Sequence, residues 1–379
     1  MLDRKMLKNI DYGFLAVVLI ILAYSALVLS SASSNVTNDP LYFVKRQLLW
    51  IGIGFGTAGI ILWFFNYEQF SRWSRMIYIF NLIILAGVLI LGSESNGAQR
   101  WIGLGPFLFQ PSEFAKIAVV ITFADFLAKR QGNLNLFKDL IPCFLYILPP
   151  MLLILLQPDL GTSLVFIAML LGMMFVAGAN PKILSGLIIG GGTAGVTALL
   201  AHFQWGLWLP LKDYQLMRLI VFLNPYNDGF GGRGAGYHVI QSQVAVGSGG
   251  LWGQGLFQGS QVQFNFLPEH HTDFIFSVVG EELGFIGAMV LLTLYLLLVY
   301  RAVLIAMEAK DLFGALMVTG IVSMLVFQLL VNVGMTIGIM PITGLPLPFF
   351  SYGGSSMLAN MIALGIILNV NIRRQKITF

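Results

Sequence analysis

Phe266-Leu-Pro-Glu-His-His-Thr-Asp273-Phe-Ile-Phe276 runs straight into an apolar stretch that continues to about Tyr300. Glu269, His270, His271 and Asp273 therefore stand where a long polar loop meets an apolar helix. An ionisable group at membrane depth costs about 2.5–3.5 kcal/mol, so such a cluster reads first as functional. The plainer reading is that these residues solvate a helix end, with Thr272 or Asp273 as its N-cap.

The apolar stretch is one of many. Apolar residues make up 57% of the 379 and charged residues 10%, against roughly 25% charged in an ordinary globular domain. Runs long enough to cross a bilayer recur along the chain, at 12–31, 45–65, 73–92, 113–129, 139–157, 160–179, 182–202, 273–300, 312–338 and 353–371. The runs are continuous and do not alternate, so they predict helices and not a barrel. The expected fold is all-α, a polytopic membrane protein of about ten spans forming one unit over residues 1–379. Lys and Arg from 1–8, from loops near 66–75, 129–138, 180–182 and 301–311, and from the C-terminal tail account for 14 of the 21. The positive-inside rule puts that face, with both termini, in the cytoplasm. The net charge of +4 follows from this asymmetry and does not point to nucleic acid. The single cysteine, Cys143, excludes an intramolecular disulfide and a thiolate metal cluster.

One connection is anomalous. Residues 203–272 are predicted to be extracytoplasmic, between spans seven and eight, and are far longer than a usual loop. Eleven glycines fall between Gly229 and Gly259. Gly232-Arg-Gly-Ala-Gly236 has the look of a phosphate loop, but it lacks the flanking strand and the spacing. Tight turns and close backbone approach are the better use of these glycines. Residues 237–248 are expected as a short surface helix. Asn35-Val-Thr37 matches a glycosylation sequon, a match common by chance.

Three more polar constellations lie on the same face. In Arg100-Trp-Ile-Gly-Leu-Gly-Pro-Phe-Leu-Phe-Gln110-Pro-Ser112-Glu113-Phe-Ala-Lys116, the acid and the base are three apart on one helix face, as a structural ion pair or as a working one. In Gln157-Pro-Asp159-Leu-Gly-Thr-Ser, Pro158 breaks one span and Asp159 suits the cap of the next. Further on, prolines 341, 346 and 348 force irregular backbone near the membrane, tolerated only where it is buried in protein or lines a wet cavity. Ser351 to Ser356 then open the last helix, as simple caps or as an anion site. Glu281 and Glu282 follow Asp273 on the eighth span, Glu281 about 12 Å further along if the helix is continuous. The sum is a cavity with carboxylates, cations and helix N-termini set in greasy walls. That suits a lipid-linked diphosphate and a proton-coupled transporter about equally.

The motifs themselves resemble the SEDS family of polytopic peptidoglycan glycosyltransferases. The matching stretches are Arg100-Trp101 through Gln110-Pro-Ser-Glu-Phe-Ala-Lys116, Gln157 to Thr162, Asn265 to Phe276, Gly280-Glu-Glu-Leu-Gly284 and Pro341 to Ser355, in family order from end to end. Thr272 before Asp273, and the short termini, resemble the elongation members more than the division or sporulation members. The resemblance implies polymerisation of lipid II at the outer face of a bacterial plasma membrane, for cell elongation and shape. It implies a class B penicillin-binding protein and other elongation-complex membrane proteins as partners, and a divalent cation, Mg or Mn, for which Asp273 and Glu113 are the candidate ligands. Asp273 matches the family's essential aspartate, and Glu113 with Lys116 its fourth-span pair. Asp273 is then the base, Arg100 and Lys116 hold the diphosphate, and Glu113 steadies Lys116. Gln110, Ser112, Asp159, Glu269, His271, Ser351 and Ser355 are the candidate substrate contacts. A lipid II flippase, in which the same charges bind and release without bond breaking, is the alternative.

Overall fold

A computed structural model describes residues 9–36, 39–95, 98–104, 107–209 and 213–374. Arg4, Lys5, Lys8, Lys212 and Lys376 of the charge argument, and Thr37 of the sequon, lie outside the described residues. The helices are α1 (Tyr12–Ala32), α2 (Tyr42–Phe64), α3 (Tyr67–Leu91), α4 (Pro111–Ala128), α5 (Phe137–Leu156), α6 (Leu160–Val176) and α7 (Pro181–Trp205). After these come α8 (Asp213–Leu223), α9 (Tyr237–Ser248), α10 (Ser260–Gln263), α11 (Ile275–Glu282), α12 (Gly284–Met307), α13 (Leu312–Thr336) and α14 (Gly354–Ile372). Eight of them are long and apolar enough to cross a membrane. The other two expected spans are α4, which carries Glu113, Lys116 and Asp125, and the 17-residue α6.

The starts of the helices follow local chemistry. Asp11, Asp159, Asn180 and Asp311 cap α1, α6, α7 and α13 by accepting backbone N–H bonds, and Asn66 forms a capping box with Gln69 at α3. The most enclosed span is α14, of which 83% is buried, whereas α7 at 6% is nearly all on the outside of the bundle. Between α2 and α14 small residues let the backbones touch: a Cβ on Gly365 would sit 3.0 Å from Ala58 Cα. Such contacts supply the dispersion energy that replaces the hydrophobic effect between helices in lipid.

The structure differs from the expected layout in four places. The segment between α3 and α4 is not plain loop. It forms three short antiparallel strands, β1 (Ser93–Ser95), β2 (Ala98–Leu104) and β3 (Phe107–Phe109), in that order in the sheet. The eighth span is broken. The amides of Gln254 and Gly255 take the carbonyls of Glu281 and Glu282, at 2.9 and 3.0 Å, and Gly284 turns the chain at φ +66. Glu281 and Glu282 are thus in a short helix clamped by the loop, and the continuous-helix depth for Glu281 does not apply. Helix α9 does not merely lie on the surface. Its Ser242 hydroxyl, fully buried, pairs with Ser277 Oγ of α11 at 2.7 Å and donates to Thr336 O of α13 at 2.8 Å. Finally, α14 starts at Gly354, so Ser351 precedes it instead of opening it.

Glu282 Oε1 accepts from Ser31 Oγ of α1 at 2.6 Å, a polar contact between helices. The phosphate-loop look of 232–236 also resolves. The amides of Phe230, Gly232, Gly234 and Gly236 all donate to the Asp228 carboxylate at 2.7–3.1 Å. The nest is filled by the chain's own carboxylate.

Candidate active site

A cavity of 490 Å³ opens at the end of the bundle that carries the 203–272 segment. Five pieces of chain build it: Arg100 and Trp101 of β2, Gln110 before α4, Tyr214 and Arg218 of α8, the Glu269–Asp273 turn, and the irregular stretch 343–356. The prolines of that stretch deny it a helix, and its backbone is held by side chains instead. Asn332 of α13 donates to both Asp273 O and Leu345 O at 2.8 Å. Ser351 Oγ donates to Thr272 O at 2.6 Å and accepts from Leu347 N at 2.8 Å, and Tyr352 N donates to His271 O at 3.1 Å. The Asp273 turn is thus fastened to the stretch that faces it.

Asp273 is not a helix cap; α11 begins after Phe274, which carries no side-chain cap. Its carboxylate makes no hydrogen bond among the described residues. Burial, then the nearby Glu269, push its pKa from 3.8 up to about 6, and Arg218 and Arg100 pull in the other direction. A carboxylate held near 6 is a usable base at neutral pH. Arg218, four residues from Tyr214, lies with its guanidinium 5.5 Å from that ring. Burial, then repulsion from Arg100, lower its own pKa. Two guanidiniums crowd one cavity here, and an anion would relieve them. Arg100 is aimed by the α5–α6 turn: its Nε donates to Gln157 O at 3.1 Å and its Nη2 to Pro158 O. Tyr214 OH donates to the same Pro158 carbonyl at 2.9 Å.

Of the candidates named from sequence, Asp273, Arg100, Gln110, Glu269 and Ser355 line the cavity. Gln110 N donates to Ser355 Oγ at 3.0 Å, joining the start of α4 to that of α14. Glu269 accepts from Thr272 Oγ1 at 3.0 Å. The others stand behind the wall. Glu113 and Lys116 form an ion pair at 2.8 Å, with both side chains sealed from solvent. Ser112 is buried beside them with its hydroxyl unpaired among the described residues. Both carboxylate oxygens of Asp159 are taken by Thr162, at 3.1 and 3.0 Å, so Asp159 serves as the cap of α6. The His271 ring packs on Phe43 at 4.7 Å, and burial, then His270, hold its pKa down to about 4. Ser351 is spent on the backbone bonds above.

Sequence reasoning passed over Arg218, Tyr214, Thr343 and Tyr352, all of which line the cavity, while Ser356, named with the start of the last helix, lines it as well. The available signal was the Tyr214–Arg218 spacing, one helical turn inside what reads as loop.

The comparisons with known proteins agree along the whole chain. The profile of the FtsW/RodA/SpoVE family, described as cell cycle protein, matches residues 12–376. The chain is 38% identical to stage V sporulation protein E of Bacillus subtilis (strain 168), covering 95% of this chain and 96% of that protein. It is also 38% identical to the peptidoglycan glycosyltransferase MrdB of Escherichia coli (strain K12), covering 98% and 95%. A chain in a solved structure described as structural coordination of polymerization and crosslinking by a peptidoglycan synthase complex superposes with a TM-score of 0.79 at 34% identity, covering 96% of this chain and 97% of that one. With eight helices long and apolar enough to cross a membrane among the described residues, its motifs in order and a match from residue 12 to residue 376, this chain belongs to the FtsW/RodA/SpoVE family of polytopic membrane proteins.

Proposed function

We infer that this protein is a peptidoglycan glycosyltransferase, an inverting enzyme that polymerises lipid II into glycan strands for cell elongation and shape. The observation that carries the reading is the unpaired Asp273 carboxylate set against Arg100 and Arg218 in one cavity. An inverting transfer from a diphosphate donor needs a base for the acceptor hydroxyl and positive charge for the leaving group. Asp273 takes the proton of the acceptor hydroxyl as that hydroxyl's oxygen bonds to the anomeric carbon. The bond from that carbon to the diphosphate breaks on the opposite face. Arg100 and Arg218 meet the charge that develops there, the former by a planar fork that the α5–α6 turn has already oriented. Lys116 is committed to Glu113 and does not line the cavity, so Arg218 is the second cation at the diphosphate. The Glu113–Lys116 pair acts through position: it locks the first turn of α4, and with it Gln110 and the join to Ser355.

A cation held jointly by Asp273 and Glu113 does not fit this geometry. Glu113 is paired and walled off from the cavity, and no cluster of three or more His, Cys, Asp or Glu suited to a metal occurs among the described residues. No step here is routed through a metal ion.

The cavity end faces outward across a bacterial plasma membrane, and both termini are cytoplasmic. The Lys and Arg asymmetry supports that orientation, since the basic loops join the helix ends opposite the cavity. Residues 203–272 are then extracytoplasmic, and a class B penicillin-binding protein is the partner they would meet. The similarity to a chain from a peptidoglycan synthase complex supports this partner. Purified protein given labelled lipid II in detergent, without ATP, tests the whole reading. Glycan chains are expected, and substrate left unpolymerised, with or without the partner, would overturn it.

A further inference from the structure

His270 is 4% exposed and lies three residues before Asp273. Its Nδ1 is 2.5 Å from Leu267 O, and its Nε2 is 2.7 Å from Ala32 O at the end of α1. A carbonyl oxygen only accepts. A neutral imidazole offers one N–H and one lone pair. Either neutral tautomer would therefore set a lone pair against a carbonyl oxygen at hydrogen-bond distance. The imidazolium alone donates in both directions.

We propose that His270 is a buried imidazolium and acts as a positioning residue, fastening the turn that carries Asp273 to the end of α1. The groups that face it fit a cation. From α11 comes the Glu281 carboxyl, whose interaction with His270 favours its charged form, with Glu282 next to it. Burial pushes both of these carboxyls up, and each keeps one oxygen without a hydrogen bond among the described residues. On its own turn are Glu269 and the His271 ring, 5.6 Å away. The end of α1 contributes Ser31, Ala32 and Ser33, none of which titrates. Within the turn, Thr272 N and Phe274 N both donate to Glu269 O at 3.2 Å, so a shift at His270 is passed on to Asp273.

The role rests on the polymerase reading; the protonation state does not, and the test separates them. Protein labelled with ¹⁵N-histidine in micelles near neutral pH should show one of its four histidines with both ring nitrogens protonated, and His270→Gln should lose that signature. In polymerisation assays His270→Gln should be about tenfold slower, the scale of one lost charged hydrogen bond. His270→Lys keeps the charge and should recover much of the rate. A neutral His270 in the wild-type spectrum would overturn the proposal whatever the assays give. A doubly protonated His270 with His270→Gln as fast as the wild type, or with His270→Lys no faster than His270→Gln, would overturn the positioning role.

Discussion

Asp273 and Asp228 stand on the same end of the molecule and have opposite fates. Asp228 lies in a glycine-rich turn whose backbone donates four N–H groups to its carboxylate, first among them Gly232, and its pKa is held down to about 2. Asp273 lies in a cavity where its carboxylate receives no hydrogen bond among the described residues, and burial lifts its pKa to about 6. The residue type is identical; the number of amides that the backbone aims at it differs. One carboxylate is a structural anchor that stays ionised. The other is the proposed base, its pKa lifted close enough to working pH to exchange protons. The amides at 230, 232, 234 and 236 converge because the chain turns repeatedly there, with Gly229, Gly231 and Gly232 at positive φ. In the stretch facing Asp273, Ser351 Oγ and Tyr352 N donate to the carbonyls of Thr272 and His271 and leave the acid alone.

The hardest test of the contrast is removal of each acid. Asp273→Asn should cut lipid II polymerisation by about 10²–10⁴-fold, the range for loss of a general base, with the fold and partner binding retained. Near-normal synthesis by that variant would refute the assignment. The pair behind the wall comes next. Glu113→Ala or Lys116→Ala each leaves one charge buried without its partner, at a cost of about 3–5 kcal/mol. Thermal melts and rates of both single variants and the double should show the double to be little worse than either. Simple addition of the two losses in that cycle would end the claim that they act as a unit.

A pH profile sharpens the same comparison. Because the pKa of Asp273 is raised, the native protein holds its proton more tightly than the unfolded chain. Ionisation therefore costs stability, a cost absent below about pH 4 and complete above about pH 6. Activity has the opposite slope: it should be lost as pH falls through about 6. Arg218 helps keep Asp273 ionised, so Arg218→Gln should move that midpoint upward and slow the reaction about tenfold or more. A midpoint that falls, or an unmoved rate, would take Arg218 out of the site.

The smallest effect is expected at Asp228. Asp228→Asn turns an N–H of its amide toward amides that also donate, so hydrogen exchange over 230–236 should quicken. Polymerisation should stay within a few-fold of the wild type, because Asp228 does not line the cavity. The sign of its pH linkage is opposite to that of Asp273: the stability it lends is present above about pH 4 and lost as pH falls toward 2. Loss of polymerisation in Asp228→Asn as complete as in Asp273→Asn would collapse the distinction between the two.

What the sequence determined alone is what local rules decide. A bilayer needs about 20 apolar residues per helix, and that condition can be read without a fold, so each of the ten expected runs is helical, the eighth in two pieces, and eight of the helices are long and apolar enough to cross. The cap at Asp159, the Glu113–Lys116 contact and the prominence of Asp273 followed from spacing of the same kind. Tertiary structure decided everything that depends on which distant segments meet. Arg100, Arg218 and Asp273 come from separate stretches of chain, and no periodicity brings them together. The break between α11 and α12 has no local cause beyond Gly284; it exists because loop amides capture the carbonyls of Glu281 and Glu282. Lys116 reads as a ligand for phosphate until packing closes over it. His270 reads as one polar residue among four until two carbonyls, one local and one from α1, face its two ring nitrogens. Charges are legible in a sequence, but whether a charge is paired, sealed or free is set by the partners that folding supplies.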